Sequence, residues 1–109
     1  MNKYLITGGA GFIGSAIAEK LIAQGNYVRI FDNESRGSRK SIKNIKNVDF
    51  FHSDIRDSKK VSEACKNIDI IIHLAFINGT RYFYEKPDLV LEVGVKGRLN
   101  IVDGARSNN

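Results

Sequence analysis

The chain has 109 residues, of which 42% are hydrophobic and 27% charged, with one cysteine and a formal net charge of +5. That length and balance give one folded domain, residues 1–109, and exclude disorder, collagen and a disulfide-stapled scaffold. The positive charge admits acidic ligands without choosing among them, and no apolar run approaches the ~20 residues that a membrane span needs.

Met1 to Tyr4 lead directly into a strand pattern with no signal-like apolar region. With the lone Cys65, this gives the expectation of a cytoplasmic protein without a membrane partner. Tyr4–Thr7 reads as a buried strand ending at a glycine cluster. From Gly11 to Gln24, Ile13, Ile17 and Leu21 recur at helical spacing with Ala18 and Ile22 beside them, and Gly25 falls where a left-handed cap would sit. Tyr27–Phe31 is a second strand and Asn33–Lys40 a polar loop. Ser41–Lys46 is a short helix or a turn, and Val48–His52 a third strand.

Asp57–Lys66 carries helix start signals at Asp57 and Ser58. Ile68–Leu74 is apolar on both faces, as strands inside parallel sheets are. After a loop, Pro87 and Asp88 open a last helix that bears Leu91, Val95, Leu99 and Val102 at helical spacing. Gly94, Gly97 and Gly104 interrupt it, which suits close packing. Strands and helices alternating in this way imply an α/β Rossmann-type parallel sheet with helices on both faces. Right-handed crossovers give the strand order 3-2-1-4.

Residues 7–14 read Thr-Gly-Gly-Ala-Gly-Phe-Ile-Gly. Gly8 or Gly9, with Gly11 and Gly14, supplies a glycine fingerprint in which any side chain would block a tight turn or hold a pyrophosphate off the backbone. The helix starting there offers unpaired N–H groups and a partial positive charge to such an anion. Asp32 stands 18 residues beyond Gly14, at the end of the next strand, where a ribose-binding carboxylate belongs. A carboxylate there repels a 2′-phosphate and argues for NAD over NADP. Arg36, Arg39, Lys40, Lys43 and Lys46 follow; they read as a solvated face, with a 2′-phosphate clamp from Arg36 or Arg39 as the alternative. No aromatic residues interleave them to support nucleic-acid binding.

Taken together, Thr7–Gly14, Phe31-Asp32-Asn33 followed by Gly37, Ser53–Asp57 and His73-Leu74-Ala75 resemble the extended short-chain dehydrogenases, the family of NAD-dependent nucleotide-sugar epimerases and dehydratases. The resemblance implies that Gly8, Gly11, Phe12, Ile13 and Gly14 cradle the pyrophosphate and that Asp32 and Asn33 hold the adenosine ribose. It implies that Asp54 and Ile55 flank the adenine and that Leu74, Ala75 and Phe76 line the cofactor beyond the fourth strand. Asp54 by itself also reads as a turn or cap residue. His73, His52 and Cys65 read as structural, and no metal cluster is spaced for use.

Members of this family transfer hydride with a Tyr-x-x-x-Lys pair on later elements, which the chain does not reach. Tyr82 to Lys86 spell the same pattern, but Pro87 follows at once and argues against a helical stack of the two side chains. Tyr82 or Arg81 instead borders a sugar nucleotide by the resemblance. The family's Asn-x-x-Gly-Thr window reads Gly94-Val-Lys-Gly97-Arg98 here. The sequence therefore leads to the expectation of a cofactor-binding portion with no catalytic residue of its own, acting on a nucleotide sugar only in a full-length context. A non-catalytic dinucleotide-binding remnant and a basic interaction module remain as alternatives. If the fourth strand stands at the end of the sheet, its apolar edge needs a further part of the protein, a second copy or another polypeptide.

Overall fold

Leu5 and Ile6, both fully buried, leave strand β1 (Lys3–Thr7) on opposite faces, and two separate cores form around them. The computed structural model describes residues 1–34, 40, 48–77 and 80–108. β2 (Tyr27–Asp32) and β4 (Ile70–His73) flank β1, and β3 (Val48–His52) lies outside β2. All pairings are parallel and the order is β3-β2-β1-β4, as the alternating pattern predicts.

Helix α1 (Phe12–Ala23) covers one face, where Ala18 packs with Ile6, Val28 and Ile30. It ends in a paired cap: Gly25 N–H donates to Ile22 O at 2.9 Å and Asn26 N–H to Leu21 O at 3.1 Å, with Gly25 at φ +88°. Ile13 leaves the predicted apolar stripe. It is 64% exposed at the helix start, while Ile17, Leu21 and Ile22 pack against the sheet.

On the other face α2 (Ser58–Ala64), capped by the Asp57 carboxylate accepting from Lys60 N–H, packs with a helical stretch near the C-terminus. That stretch is α4 (Pro87–Leu91), a π-helical turn at Glu92–Lys96 and α5 (Gly97–Ser107). Arg29 fastens α2 to the sheet, donating to Ala64 O at 2.7 Å and Lys66 O at 3.0 Å while pairing with Asp49 at 3.2 Å.

Two readings of the last third need correction. The segment before Pro87, read as a loop, holds a short helix α3 (Thr80–Glu85), which stops at the proline because Lys86 (φ −139°, ψ 61°) cannot continue it. The stripe Leu91, Val95, Leu99 and Val102 faces outward, between 46% and 63% exposed. The buried face is Val90, Val93, Gly97, Ile101 and Gly104. A Cβ on Gly97 would stand 2.7 Å from Ile55 Cγ2, and one on Gly104 2.8 Å from Cys65 Sγ. Close approach at the glycines therefore sets which side is down. Among the described residues no helix is long and apolar enough to cross a membrane. The Ser41–Lys46 segment, Gly37 and the basic residues Arg36, Arg39, Lys43 and Lys46 lie outside the described residues.

Candidate functional site

The carboxyl ends of β1, β2, β3 and β4 open on one cavity of about 530 Å³. β1 hands over to α1 through a turn that only glycine tolerates. Gly8 has φ +72°, and a Cβ there would stand 3.0 Å from both Ala75 N and Leu74 C. A Cβ on Gly14 would stand 2.5 Å from Gly8 O and 2.7 Å from Gly9 Cα, so α1 begins in contact with the turn. Its N-cap, Gly11, makes no side-chain cap bond, and no acidic residue occupies its first turn. The opening N–H groups of a twelve-residue helix thus meet the cavity without a side-chain cap from the helix itself.

Asp32, 8% exposed, organises the rim from the end of β2. Its Oδ2 accepts from Ala10 N–H at 3.0 Å and its Oδ1 from Glu34 N–H at 2.6 Å. The carboxylate therefore braces the glycine turn and the left-handed Glu34 (φ 59°) at once, keeping roughly half its acceptor sites for a ligand. Asn33 is exposed beside it. The outer end of β3 is tied to the same rim by a 2.8 Å contact between His52 Nδ1 and Glu34 Oε2.

Past β3, Asp54 receives Arg56 as a fork: Nε donates to Oδ1 at 3.0 Å and Nη2 to Oδ2 at 2.6 Å, while Arg56 N–H adds a bond to Oδ1 at 2.8 Å. The guanidinium holds the Asp54 carboxyl below its ordinary range against the opposing effect of burial. The Asp54 side chain is thus an ion-paired wall group that also closes a turn, accepting from Arg56 N–H two residues on. Ile55 is buried, with its carbonyl accepting from Asn100 Nδ2 at 3.0 Å.

Thr7 closes the fourth corner. Its Oγ1 accepts from Ala75 N–H at 3.2 Å and shares Leu74 N–H at 3.0 Å, and lies 2.6 Å from His73 Nδ1. With both lone pairs engaged, the hydroxyl donates to Nδ1, which assigns the His73 proton to Nε2. Burial, and secondarily the charge of Arg98, push the His73 pKa below its ordinary value. His73 ties β4 to β1 through Thr7, and the Cys65 thiol is buried.

Every candidate cofactor residue from the sequence lines this cavity: Gly8, Gly11, Phe12, Ile13, Gly14, Asp32, Asn33, Asp54, Ile55, Leu74, Ala75 and Phe76. Phe31, Ser53, Ile77 and Val93 line it too and were missed. Phe31, Ser53 and Ile77 adjoin named residues at strand ends, where the rule for ligands in parallel sheets finds them. Val93 comes from the π turn and carries no local signal. Tyr82 and Lys86 are not among the lining residues, and Arg81 pairs with Glu85 at 3.0 Å. Among the described residues no group of three His, Cys, Asp or Glu is arranged for a metal.

Chemically, the site combines bare backbone donors at a helix start with two anchored carboxylates and an apolar lining. That set suits a phosphodiester flanked by hydroxyl and amine donors. The fold is that of a Rossmann-type α/β protein. The chain belongs to the NAD dependent epimerase/dehydratase family, whose pattern it matches over residues 4–109.

It is 37% identical over 105 residues to the UDP-N-acetyl-alpha-D-glucosaminuronate decarboxylase of Bacillus cytotoxicus, covering 95% of this chain and 33% of that protein. With the putative UDP-glucose 4-epimerase of Methanocaldococcus jannaschii the identity is 39% over 104 residues, 94% of this chain and 33% of the relative. The solved structure of the Thermus thermophilus UDP-glucose 4-epimerase in complex with NAD superposes with TM-score 0.89 at 37% identity, over 97% of this chain and 34% of that one. The chain spans about a third of the length of these relatives.

Proposed function

We propose that this chain is the NAD-binding portion of a nucleotide-sugar epimerase- or dehydratase-like oxidoreductase, one domain that holds the cofactor and performs no turnover by itself. The observation that carries the reading is the convergence of the glycine cradle, the uncapped start of α1 and two fixed carboxylates on one cavity. The pyrophosphate lies against Gly8 and the amides of Gly11 to Gly14. The adenosine ribose donates to Asp32 beside Asn33, and the adenine lies against Asp54 and Ile55. Leu74, Ala75 and Phe76 extend the wall toward the nicotinamide.

Asp32 is held in place by two main-chain donors and repels a 2′-phosphate, which favours NAD over NADP. Bound NAD supplies a hydride acceptor; what this chain's residues supply is binding and orientation. The position of Tyr82 and Lys86 outside the cavity lining favours holding without turnover. The substrate in the full-length context is a nucleotide sugar, the setting is a reducing compartment such as the cytoplasm, and neither nucleic acid nor membrane is a partner. The outer edge of β4 receives a further strand, from the same protein, a second copy or another polypeptide.

Titration calorimetry with NAD, NADP and AMP tests the reading. Wild type is expected to bind NAD and AMP and to prefer NAD to NADP, and Asp32→Ala to lose at least about tenfold in NAD affinity, the size of one charge-assisted hydrogen bond. Unchanged NAD affinity in Asp32→Ala overturns the ribose assignment. Reduction of NAD by the chain alone with a sugar nucleotide overturns the absence of turnover.

A further inference from the structure

Arg56 lies two residues beyond Asp54 and is not among the residues lining the cavity, yet it grips both sides of it. One side of its guanidinium forks onto the Asp54 carboxylate, and Nη1 reaches across to Glu92 Oε2 at 2.8 Å. Asp54 stands in the wall built by the loop after β3, and Glu92 immediately precedes Val93, the lining residue from the π turn. We propose that Arg56 is a positioning residue for recognition of the ligand's base: it fixes the orientation of the Asp54 carboxylate, and with it the preference for a base that presents an exocyclic amine.

Hydrogen-bond capacity sets this preference. An ionised carboxylate is an acceptor only, with roughly four lone-pair sites. Arg56 N–H and Nε occupy both sites of Oδ1, Nη2 takes one on Oδ2, and the single Nε proton also leans to Oδ2 at 3.2 Å from the same side. What remains is the lone pair of Oδ2 directed away from the fork. A 6-amino group donates to it, whereas a 6-oxo group meets it lone pair to lone pair. Without the fork the carboxylate turns about its last torsion, which is broad and two-fold, and the directional preference goes. The Glu92 contact keeps the guanidinium from following a rotation of Asp54, and Asn100 holds the neighbouring Ile55 carbonyl at 3.0 Å.

The inference rests on the proposed NAD site, and its test separates the two. Binding of NAD and of nicotinamide hypoxanthine dinucleotide, which carries a 6-oxo base, is measured for wild type, Arg56→Gln and Arg56→Lys. Wild type is expected to prefer NAD by about tenfold. Arg56→Gln should bring the ratio to within about twofold of unity, and Arg56→Lys, which keeps the charge but not the fork, should fall between. A merely structural role lowers stability and leaves the ratio unmoved. A wild-type ratio retained in a folded Arg56→Gln, or in Arg56→Lys should the glutamine variant not fold, overturns the inference. Wild type that binds neither dinucleotide overturns the NAD site itself.

Discussion

The hydroxyl of Thr7 is fully buried at the junction of β1 and β4. Its two acceptor sites are taken by the main chain after β4, so it donates to His73, whose Nδ1 must stay unprotonated to receive it. Protonating His73 sets two donors against each other at the junction of β1 and β4, with the Arg98 charge adding to the cost. The folded-state pKa lies below the ordinary 6.5, so the unfolded chain binds more protons as pH falls through that value. Stability from this residue is therefore present above about pH 6.5 and is lost toward the folded-state pKa. Denaturant midpoints at pH 7.5 and 5.5 should differ more for wild type than for His73→Gln, which accepts the same bond without titrating. Equal differences in the two proteins would exclude His73 as the source. Asp54 acts in a lower window: its depressed carboxyl pKa adds stability above about 3.8 that fades on further acidification.

Among the elements, the helical stretch from Pro87 to Ser107 shows where pattern reading succeeds and where it stops. Two apolar stripes run along it, Leu91-Val95-Leu99-Val102 and Val90-Val93-Ile101, and both fit a helical repeat. Side-chain size favours the first, but the sheet side is chosen by Gly97 and Gly104, whose bare Cα atoms admit Ile55 and Cys65. The π turn between Leu91 and Gly97 also shifts the phase, which no fixed period detects. α3 escaped for a related reason, since six residues are too few to show a stripe. A graded pair of substitutions follows. At Gly94 a Cβ would meet the Phe76 ring at an ordinary 3.4 Å, so Gly94→Ala should be neutral or stabilising by up to about 1 kcal/mol through helix propensity. Gly97→Ala should cost about 1–3 kcal/mol from overpacking against Ile55, measured as a fall in denaturant midpoint. It should also weaken AMP binding, because Ile55 lines the cavity. Equal effects at the two positions would refute the account of which face is down.

For the molecule as a whole, strand order and cavity were legible because each rests on a few residues with strong local meaning. The fingerprint glycines fix where β1 ends, and Asp32 marks the end of β2. An apolar β4 implies a sheet covered on both faces. What sequence could not supply is the tie between distant walls, since Arg56 and Glu92 are charges of a common kind until the fold sets them 2.8 Å apart. β4 closes the sheet order, with one edge unpaired among the described residues and Ile70 39% exposed on it. The chain is therefore expected to self-associate with rising concentration in sedimentation, and Ile70→Lys to shift it toward monomer. A wild-type monomer throughout would contradict pairing between copies along that edge.

The corner where Gly8 abuts Ala75 has a mechanical meaning as well. Main chain presses on main chain there, and Thr7 pins the same two peptides, so the lips beyond β1 and β4 form one stiff jaw. The wall around Asp54 and Val93 is held instead by ion pairs of a guanidinium about a third open to water. Salt therefore weakens the ion pairs on that side of the crevice and leaves the neutral hydrogen bonds of the Thr7 side untouched.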